Sequence, residues 1–288
     1  MWHKNMEDFL LTPFLIQKLN NAYQDLFLAT QHAHWLAEHI HATCKDPAQK
    51  KIICNQLLER IIIDHEPIQY ILGSTPFCSV DITLKPPILI PRPETEEWVD
   101  ALCTQIKHNI STSITILDIG TGSGAIALSI AHAVPQAQVY AVDILPAAVA
   151  LAQENKIKNN ISNCTIMQSD LFEAVKSMSF DLIVSNPPYI SAAEYATLDA
   201  SVTKWEDKNA LVADAHGFAI IQKIIDTAPQ FLKAESPLKG ANIPQLWIEI
   251  GYNQGQHIKE YLSQQNRVQA QIKNDYAGND RVITICYK

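Results

Sequence analysis

Residues 184–190, which read VSNPPYI, contain the side chains best suited to hold a planar amine or amide. Proline has no backbone N–H and restricts the residue before it, so the apolar strand predicted for residues 180–185 must end in a stiff loop. In that loop the carboxamide of Asn186 and a neighbouring backbone carbonyl can accept hydrogen bonds from one NH₂ group, and the ring of Tyr189 offers a flat surface to a planar group. The candidate catalytic residues are Asn186, Pro187 and Tyr189, and the candidate substrate-binding residues are Asn186, Pro187, Pro188 and Tyr189.

A second group of residues is suited to bind a nucleotide-like cofactor. The stretch ILDIGTGSGAIALSIA, residues 116–131, combines an apolar strand, a run of glycines and a helix-forming segment. Its third glycine comes one position earlier than in the G-x-G-x-x-G pattern of dinucleotide-binding proteins, and an acid precedes the first. A tight turn without a ligand is the alternative, but three of the chain's nine glycines at one strand end favour a cofactor site. The candidate cofactor-binding residues of this stretch are Asp118, Gly120, Thr121, Gly122, Ser123 and Gly124.

An acid at the end of the next predicted strand is placed to bind a ribose. Asp143 lies 23 positions after Gly120 (143 − 120), where a carboxylate can accept both hydroxyls of a ribose. NAD and S-adenosylmethionine both carry this diol, so the acid does not separate them, and an N-cap for the helix that begins near Pro146 is the alternative role. A segment S-D-L-F after the third strand would border an adenine. The remaining candidate cofactor-binding residues are Asp143, Asp170, Leu171 and Asn186.

Together, the two groups of residues predict methyl transfer to a planar nitrogen. Two acceptors that bind both N–H bonds localise electron density on a nitrogen whose lone pair is otherwise too weak to attack a methyl sulfonium. Catalysis would then rest on positioning and desolvation, without a metal or a covalent intermediate. A rigid strand-ending turn is the alternative for the two prolines, and it is disfavoured beside a glycine loop and a ribose acid in this order.

The elements that must position these residues alternate between strands and helices beyond residue 112. Strands are predicted at 114–118, 138–142, 164–168, 180–185, 245–249 and 282–286, and helices at 125–132, 146–159, 218–232 and 254–264. This order predicts an α/β fold in which helices cover a parallel sheet and ligands bind at the carboxyl ends of the strands.

The first part of the chain has a different pattern. Apolar residues recur at helical spacing up to about Asp64, then short β-type runs broken by glycine and proline extend from Ile68 to Ile90, and a helix begins near Pro93. The predicted domains are an N-terminal helical substrate-binding domain at 1–66, a β-hairpin linker at 67–91 and a catalytic domain at 92–288.

Composition limits the classes of protein to consider. A formal net charge of −8 argues against a broad nucleic-acid-binding surface, and no apolar run approaches the length of a membrane span. The six cysteines form no C-x-x-C pair, and no signal-type segment follows the start, so a cytoplasmic protein with reduced thiols is expected. The histidines of QHAHWLAEHIHA are spaced too far apart on a helix to share one ion, so no metal site is expected.

The motifs, taken in order, resemble a known family. The succession D-x-G-T-G-S-G, Asp143, SDLF and NPPY is similar to class I S-adenosylmethionine-dependent methyltransferases that act on nitrogen. The flanking segments PIQYILGSTPF, ILIPRPETEEWV, NALVADAHGFAII, IEIGYNQGQ and DYAGNDRVI resemble release factor glutamine methyltransferases over nearly the whole chain beyond about residue 66.

The resemblance implies a Rossmann-like class I methyltransferase sheet with helices on both faces, joined to the helical domain through the hairpin. It also implies methyl transfer from S-adenosylmethionine to the glutamine of the Gly-Gly-Gln motif of peptide-chain release factors. The glycine loop, Asp143 and Leu171 would contact the cofactor, and residues 186–189 would hold the glutamine amide. The expected partners are release factors, without direct nucleic acid or membrane binding, and a monomer is expected.

Two questions stay open at this stage. The exocyclic amines of DNA or RNA bases would suit the same loop, so a nucleic-acid amino methyltransferase is one alternative. A dinucleotide-dependent oxidoreductase is an alternative from another class of enzyme, and the glycine spacing disfavours it. Arg92 lies between two prolines, where it would either pair with Glu94 or Glu96 or contact the backbone of a protein substrate.

Overall fold

The structure is a computed structural model that describes residues 6–264 and 268–287, with the backbone alone described for residues 6–10. The helices are α1 (Met6–Tyr23), α2 (Leu26–Thr43), α3 (Pro47–Ile62), α4 (Ile68–Leu72), α5 (Pro93–Asn109), α6 (Ala125–Ala133), α7 (Pro146–Lys158), α8 (Ala192–Tyr195), α9 (Ala200–Thr203), α10 (Asp214–Gly217), α11 (Ala219–Thr227), α12 (Pro237–Gly240) and α13 (Gly255–Ser263). The strands are β1 (Ser74–Phe77), β2 (Val80–Thr83), β3 (Thr115–Ile119), β4 (Gln138–Asp143), β5 (Cys164–Gln168), β6 (Leu182–Ser185), β7 (Leu246–Glu249), β8 (Val268–Asn274) and β9 (Asp280–Tyr287). Single 3₁₀ turns lie at Glu173–Val175, Lys208–Ala210 and Ala228–Gln230.

The main sheet has seven strands in the order β5-β4-β3-β6-β7-β9-β8. The pairs from β5 to β7 are parallel, and the pairs made by β9 are antiparallel. Leu117 and Ile119 of β3 belong to a core cluster that includes residues of α11 and α13, while Ile116 and Asp118 alternate with them and are equally buried. Burial on both faces is typical of a parallel sheet covered by helices, and the predicted α/β class is confirmed.

Some element boundaries differ from the sequence prediction. The residues Ile68–Leu72, expected to be the start of a β-type region, form α4, because Gly73 takes a left-handed conformation (φ 78°) and closes the turn on the carbonyl of Gln69. The helix predicted for 218–232 ends at Thr227 and continues as a 3₁₀ turn, since Pro229 has no N–H to continue the helical pattern. Strand β8 was not predicted, although its apolar residues alternate with polar ones in the pattern of a strand at the edge of a sheet.

The chain divides into two compact units. One consists of Met1–Ser74 with Asp199–Trp205, and the other of Thr75–Leu198 with Glu206–Lys288. Within the first unit, the indole N–H of Trp205 donates to the carbonyl of Asp64 at 3.0 Å, which ties the distant segment to the end of the helical region. The domain roles assigned from the sequence stay predictions.

Candidate functional site

The glycine loop follows β3 at the carboxyl edge of the main sheet. Gly120, Gly122 and Gly124 have φ values of 73°, 55° and 87°, a left-handed region that other residues enter only with strain. The N–H groups of Gly120 and Thr121 donate to the carbonyl of Val142 at 2.9 and 3.0 Å, so the loop is fixed to the end of β4. A side chain at Gly124 would contact Leu128 and Ala152 at 3.0 and 3.1 Å, because helices α6 and α7 approach closely here.

Asp143 ends β4 and binds the glycine loop directly. Its Oδ2 accepts the N–H of Gly122 at 2.8 Å, and its Oδ1 accepts the N–H of Leu145 at 2.9 Å. Burial raises the pKa of this carboxyl, and the backbone N–H donors partly oppose that rise. The alternative role as an N-cap is not what the structure shows, because the N-cap residue of α7 is Leu145. Asp143 therefore holds the loop in place and borders the cavity described below.

Asp118 lies deeper, beneath the glycine loop. Its Oδ2 accepts the hydroxyl of Thr121 at 2.7 Å, and its Oδ1 has no hydrogen-bond partner among the described residues. Burial, with a smaller effect from the charge of Asp143, raises the pKa of Asp118 to about 7. This carboxyl is therefore poised between its neutral and charged forms near neutral pH.

A cavity of about 440 Å³ opens beside these loops, within the size range of small-molecule sites. Of the residues predicted from the sequence, those that line it are Gly120, Gly122, Asp143, Asp170, Leu171, Asn186, Pro187 and Pro188. The predicted residues that do not line it are Asp118, Thr121, Ser123, Gly124 and Tyr189. Their assigned roles, like those of the lining residues, stay predictions.

The cavity also has a wall that the sequence analysis missed. Its members are apolar residues before α5 and in α11, together with polar residues around the 3₁₀ turn at Lys208–Ala210: Ile88, Leu89, Ile220, Ile224, Asp207 and Asn209. Asp207 accepts the backbone and side-chain N–H groups of Asn209 at 2.9 and 3.1 Å. No local pattern indicated these residues, because they come from segments far apart in the sequence.

The N-P-P-Y loop begins directly after β6 and faces the glycine loop. A side-chain carbon added at Gly120 would lie 3.9 Å from the backbone oxygen of Asn186, so the two loops border one space. The carbonyl of Tyr189 accepts the side-chain amide of Gln254 at 2.9 Å, and Gly217 lies against the same carbonyl. The loop is thus held from its far side by residues outside the motif.

A buried carboxylate lies under this loop. Glu249, the last residue of β7, accepts the hydroxyl of Thr95 at 2.7 Å, the indole N–H of Trp98 at 2.9 Å and the hydroxyl of Tyr189 at 3.2 Å. Burial raises the pKa of Tyr189, and the nearby charge of Glu249 raises it further. The signal that would have identified Glu249 is its position: an acid that ends the strand paired with β6 must lie near the end of β6.

Of the two roles considered for Arg92, contact with the backbone of a protein substrate stays a prediction. Its guanidinium pairs with Glu206 at 2.6 Å rather than with Glu94 or Glu96, so that expectation was wrong. The carboxyl of Glu206 is almost fully buried, and it directly precedes Asp207 of the cavity wall. Arg92 precedes α5, and the fold brings the distant segment that contains Glu206 next to it. Spacing along the sequence cannot indicate such a pair.

The sequence matches a family model and several known proteins. Residues 98–205 match the family model described as the methyltransferase small domain. The chain is 40% identical over 222 residues to the release factor glutamine methyltransferase of Lactococcus lactis, covering 77% of each. It is 38% identical over 229 residues to that of Aliivibrio fischeri, covering 79% of this chain and 76% of that protein. The same percentage identity to the Fusobacterium nucleatum protein extends over 80% of this chain but only 63% of that longer relative.

Solved structures resemble the fold at lower identity. The hMettl16 catalytic domain in complex with MAT2A 3′UTR hairpin 6 has a TM-score of 0.56 at 17% identity and covers 73% of this chain and 77% of that one. A methyltransferase from Pyrococcus furiosus has a TM-score of 0.50 at 17% identity, with 84% and 98% of the two chains covered. These likenesses show a methyltransferase fold.

Proposed function

The chain belongs to the release factor glutamine methyltransferase family, and from this we propose that it methylates the side-chain amide nitrogen of the glutamine in the Gly-Gly-Gln motif of peptide-chain release factors. The family resemblance expected from the motifs is confirmed. The chain spans under two thirds of the Fusobacterium relative, so its substrate and its partner are proposals.

The observation that supports the proposal most directly is the meeting of the glycine loop and the N-P-P-Y loop at one cavity. The cavity has the size of a cofactor site, and the carboxylate of Asp143 lies at its border, held by two backbone N–H groups. These features fit S-adenosylmethionine, which would supply the methyl group when bound. Its ribose would be held by Asp143, and its adenine would lie near Asp170 and Leu171.

The loop residues would act on the glutamine amide. The carboxamide of Asn186 and an adjacent backbone carbonyl would accept its two N–H groups, orient the nitrogen and stabilise it as it loses planarity. The nitrogen would bond to the methyl carbon as the bond between that carbon and the sulfonium sulfur breaks, and one N–H proton would then pass to solvent water. Before that proton leaves, the two acceptors would stabilise the positive charge on the N–H groups. Buried Pro187 keeps water away from one side of the loop and contributes no competing donor.

A protein substrate is preferred over a nucleic acid. The formal net charge of −8 opposes the polyanionic backbone of DNA or RNA. No helix of the described residues is long and apolar enough to cross a bilayer. We propose that the reaction takes place in the cytoplasm and that the protein acts as a monomer. We assign release-factor binding to the helical unit that contains Met1–Ser74.

The direct test is incubation of the purified protein with S-adenosylmethionine labelled in its methyl group. Label should pass to an intact release factor, and not to a release factor whose Gly-Gly-Gln glutamine is replaced by alanine. Duplex DNA and structured RNA serve as the other two arms. Transfer to either nucleic acid without transfer to the release factor would support the alternative amino methyltransferase. Calorimetry that shows heat of binding with NAD and none with S-adenosylmethionine would exclude both methyltransferase functions.

A further inference from the structure

The amide of Asn186 has two ends, and its proposed role needs the oxygen rather than the nitrogen to face the substrate. A carboxamide can turn by half a rotation and exchange these ends with little change in shape. The residues packed against it must therefore select one orientation. We propose that Thr95 and Glu249 are positioning residues that make this selection, an inference that rests on the proposed function of Asn186.

The selection begins at the carboxylate of Glu249, which is 1% exposed. Its Oε2 atom accepts from both the indole N–H of Trp98 and the hydroxyl of Thr95. An indole N–H can only donate and an ionised carboxylate oxygen can only accept, so with the carboxylate ionised Oε2 is the acceptor in both hydrogen bonds. The single hydroxyl proton of Thr95, itself 3% exposed, is consequently directed at Glu249.

A hydroxyl whose proton is used can only accept from its next neighbour. That neighbour is Asn186, whose Nδ2 lies 3.4 Å from Oγ1 of Thr95, at the long end of the hydrogen-bond range. With the amide turned over, two oxygen lone pairs would face each other in a largely buried place, and the Nδ2 donor would point at the cavity. The chain of contacts thus leaves Oδ1 of Asn186 free to accept an N–H group of the substrate.

The same carboxylate also reaches the other end of the loop. Its Oε1 accepts the hydroxyl of Tyr189, three residues after Asn186. Glu249 therefore fixes both ends of the N-P-P-Y segment, one through Thr95 and one directly. Because neither Thr95 nor Glu249 lines the cavity, their influence on the reaction is transmitted through the loop.

Removal of the Thr95 hydroxyl tests the proposal. Valine has nearly the same shape as threonine but no hydroxyl, so in Thr95→Val the two orientations of Asn186 become similar in energy. The single-turnover methylation rate should therefore fall about 5- to 20-fold, which is the effect of losing one or two neutral hydrogen bonds. The Kd for S-adenosylmethionine and the KM for release factor should change less than about twofold. Thr95→Ser, which keeps the hydroxyl, should recover most of the rate.

The matched control is Thr284→Val. Thr284 is another buried threonine whose hydroxyl donates to a backbone carbonyl, that of Gln271 in the β8–β9 pair. The same chemical change there should leave the methylation rate at the wild-type value. An equal loss in both variants would mean that the effect follows from general destabilisation, and the proposal would be wrong.

A double-mutant cycle with Asn186→Ala separates positioning from packing. If Thr95 acts through Asn186, then Thr95→Val should cause no further loss in the Asn186→Ala background. Additive losses, or a Thr95→Val rate equal to that of the wild type, would overturn the proposal. Failure of the proposed function is distinguishable, because the wild-type protein would then transfer no label to release factor at all.

Discussion

Two carboxyl groups at the ends of neighbouring strands have different environments and so different roles. Asp143 is satisfied by two backbone N–H groups and borders the cavity, whereas Asp118 has one donor and lies fully buried behind the loop. The sequence assigned both to the cofactor. It could not show that one binds the loop and the other lies behind it, since both follow apolar strands.

Asn186→Ala should lower turnover more than it lowers binding. The amide oxygen matters most as the substrate nitrogen loses planarity, and an interaction strengthened in the transition state controls the rate. By comparison with one lost oxyanion-hole donor, the single-turnover rate should fall roughly 10²–10³-fold. Calorimetry should show S-adenosylmethionine affinity close to the wild-type value. A wild-type rate in this variant would mean that Asn186 only ends a strand.

Asp118→Asn should change how stability depends on pH. The pKa of Asp118 is raised from 3.8 to about 7, so between these values the folded state keeps a proton that the unfolded state has lost. The contribution of Asp118 to stability therefore falls as pH rises through this window, by about 1.4 kcal/mol per pH unit, and is constant above it. Asparagine carries no such proton. The unfolding free energy of the variant should therefore rise relative to that of the wild type by about 1.4 kcal/mol per pH unit across this window.

Urea unfolding of both proteins at about pH 5, 6 and 7 measures this difference. Asp170→Asn, which alters an exposed carboxyl at the same edge of the sheet, is the control. A constant difference between Asp118→Asn and the wild type across these pH values would contradict the raised pKa of Asp118.

At the scale of elements, the sequence predicted the features that a few neighbouring residues determine, such as turns and strand ends. Glycines marked the turn after β3 because their left-handed φ values exclude most other residues, and the prolines marked the end of β6. Contacts such as Thr95 with Glu249, 154 residues apart, and Arg92 with Glu206, 114 apart, left no local trace. They depend on which segments the fold brings together, and that is decided by packing of the whole sheet.

Gly217→Ala should disrupt the N-P-P-Y loop from behind. An added Cβ would lie 1.9 Å from the carbonyl oxygen of Tyr189 and 2.9 Å from the side-chain nitrogen of Gln254, at a residue whose φ is +83°. Strain of the left-handed backbone and overpacking together should cost about 2–5 kcal/mol of unfolding free energy, and the displaced loop should lower turnover.

Gly240→Ala is the control for this change. No atom lies within 4 Å of a Cβ added at Gly240, and its φ is not positive, so its stability should stay within about 0.5 kcal/mol of the wild type. If Gly217→Ala were as stable and as active as Gly240→Ala, the carbonyl of Tyr189 would not be fixed as the structure has it.

At the scale of the whole molecule, the division into units is not a simple cut in the sequence. The helical pattern of the first 64 residues was visible, but the membership of Asp199–Trp205 was not, because that segment lies between two parts of the catalytic sheet. A deletion of residues 1–66 would therefore leave this segment without its partner at Asp64. Surface substitutions are the better test of the role proposed for the helical unit.

Phe27→Asp should weaken binding of the release factor without affecting the chemistry. Phe27 is 81% exposed at the start of α2, next to exposed Leu26, and an exposed aromatic residue is the type that dominates protein interfaces. Replacement should raise the KM for intact release factor about 10-fold, while kcat and the affinity for S-adenosylmethionine stay at their wild-type values. Tyr276→Asp, at an aromatic residue 91% exposed in the catalytic unit, should leave all three unchanged. Equal KM values for the two variants would show that α2 does not bind the partner, whereas a fall in kcat for Phe27→Asp alone would mean that the helical unit acts on the reaction rather than on recognition.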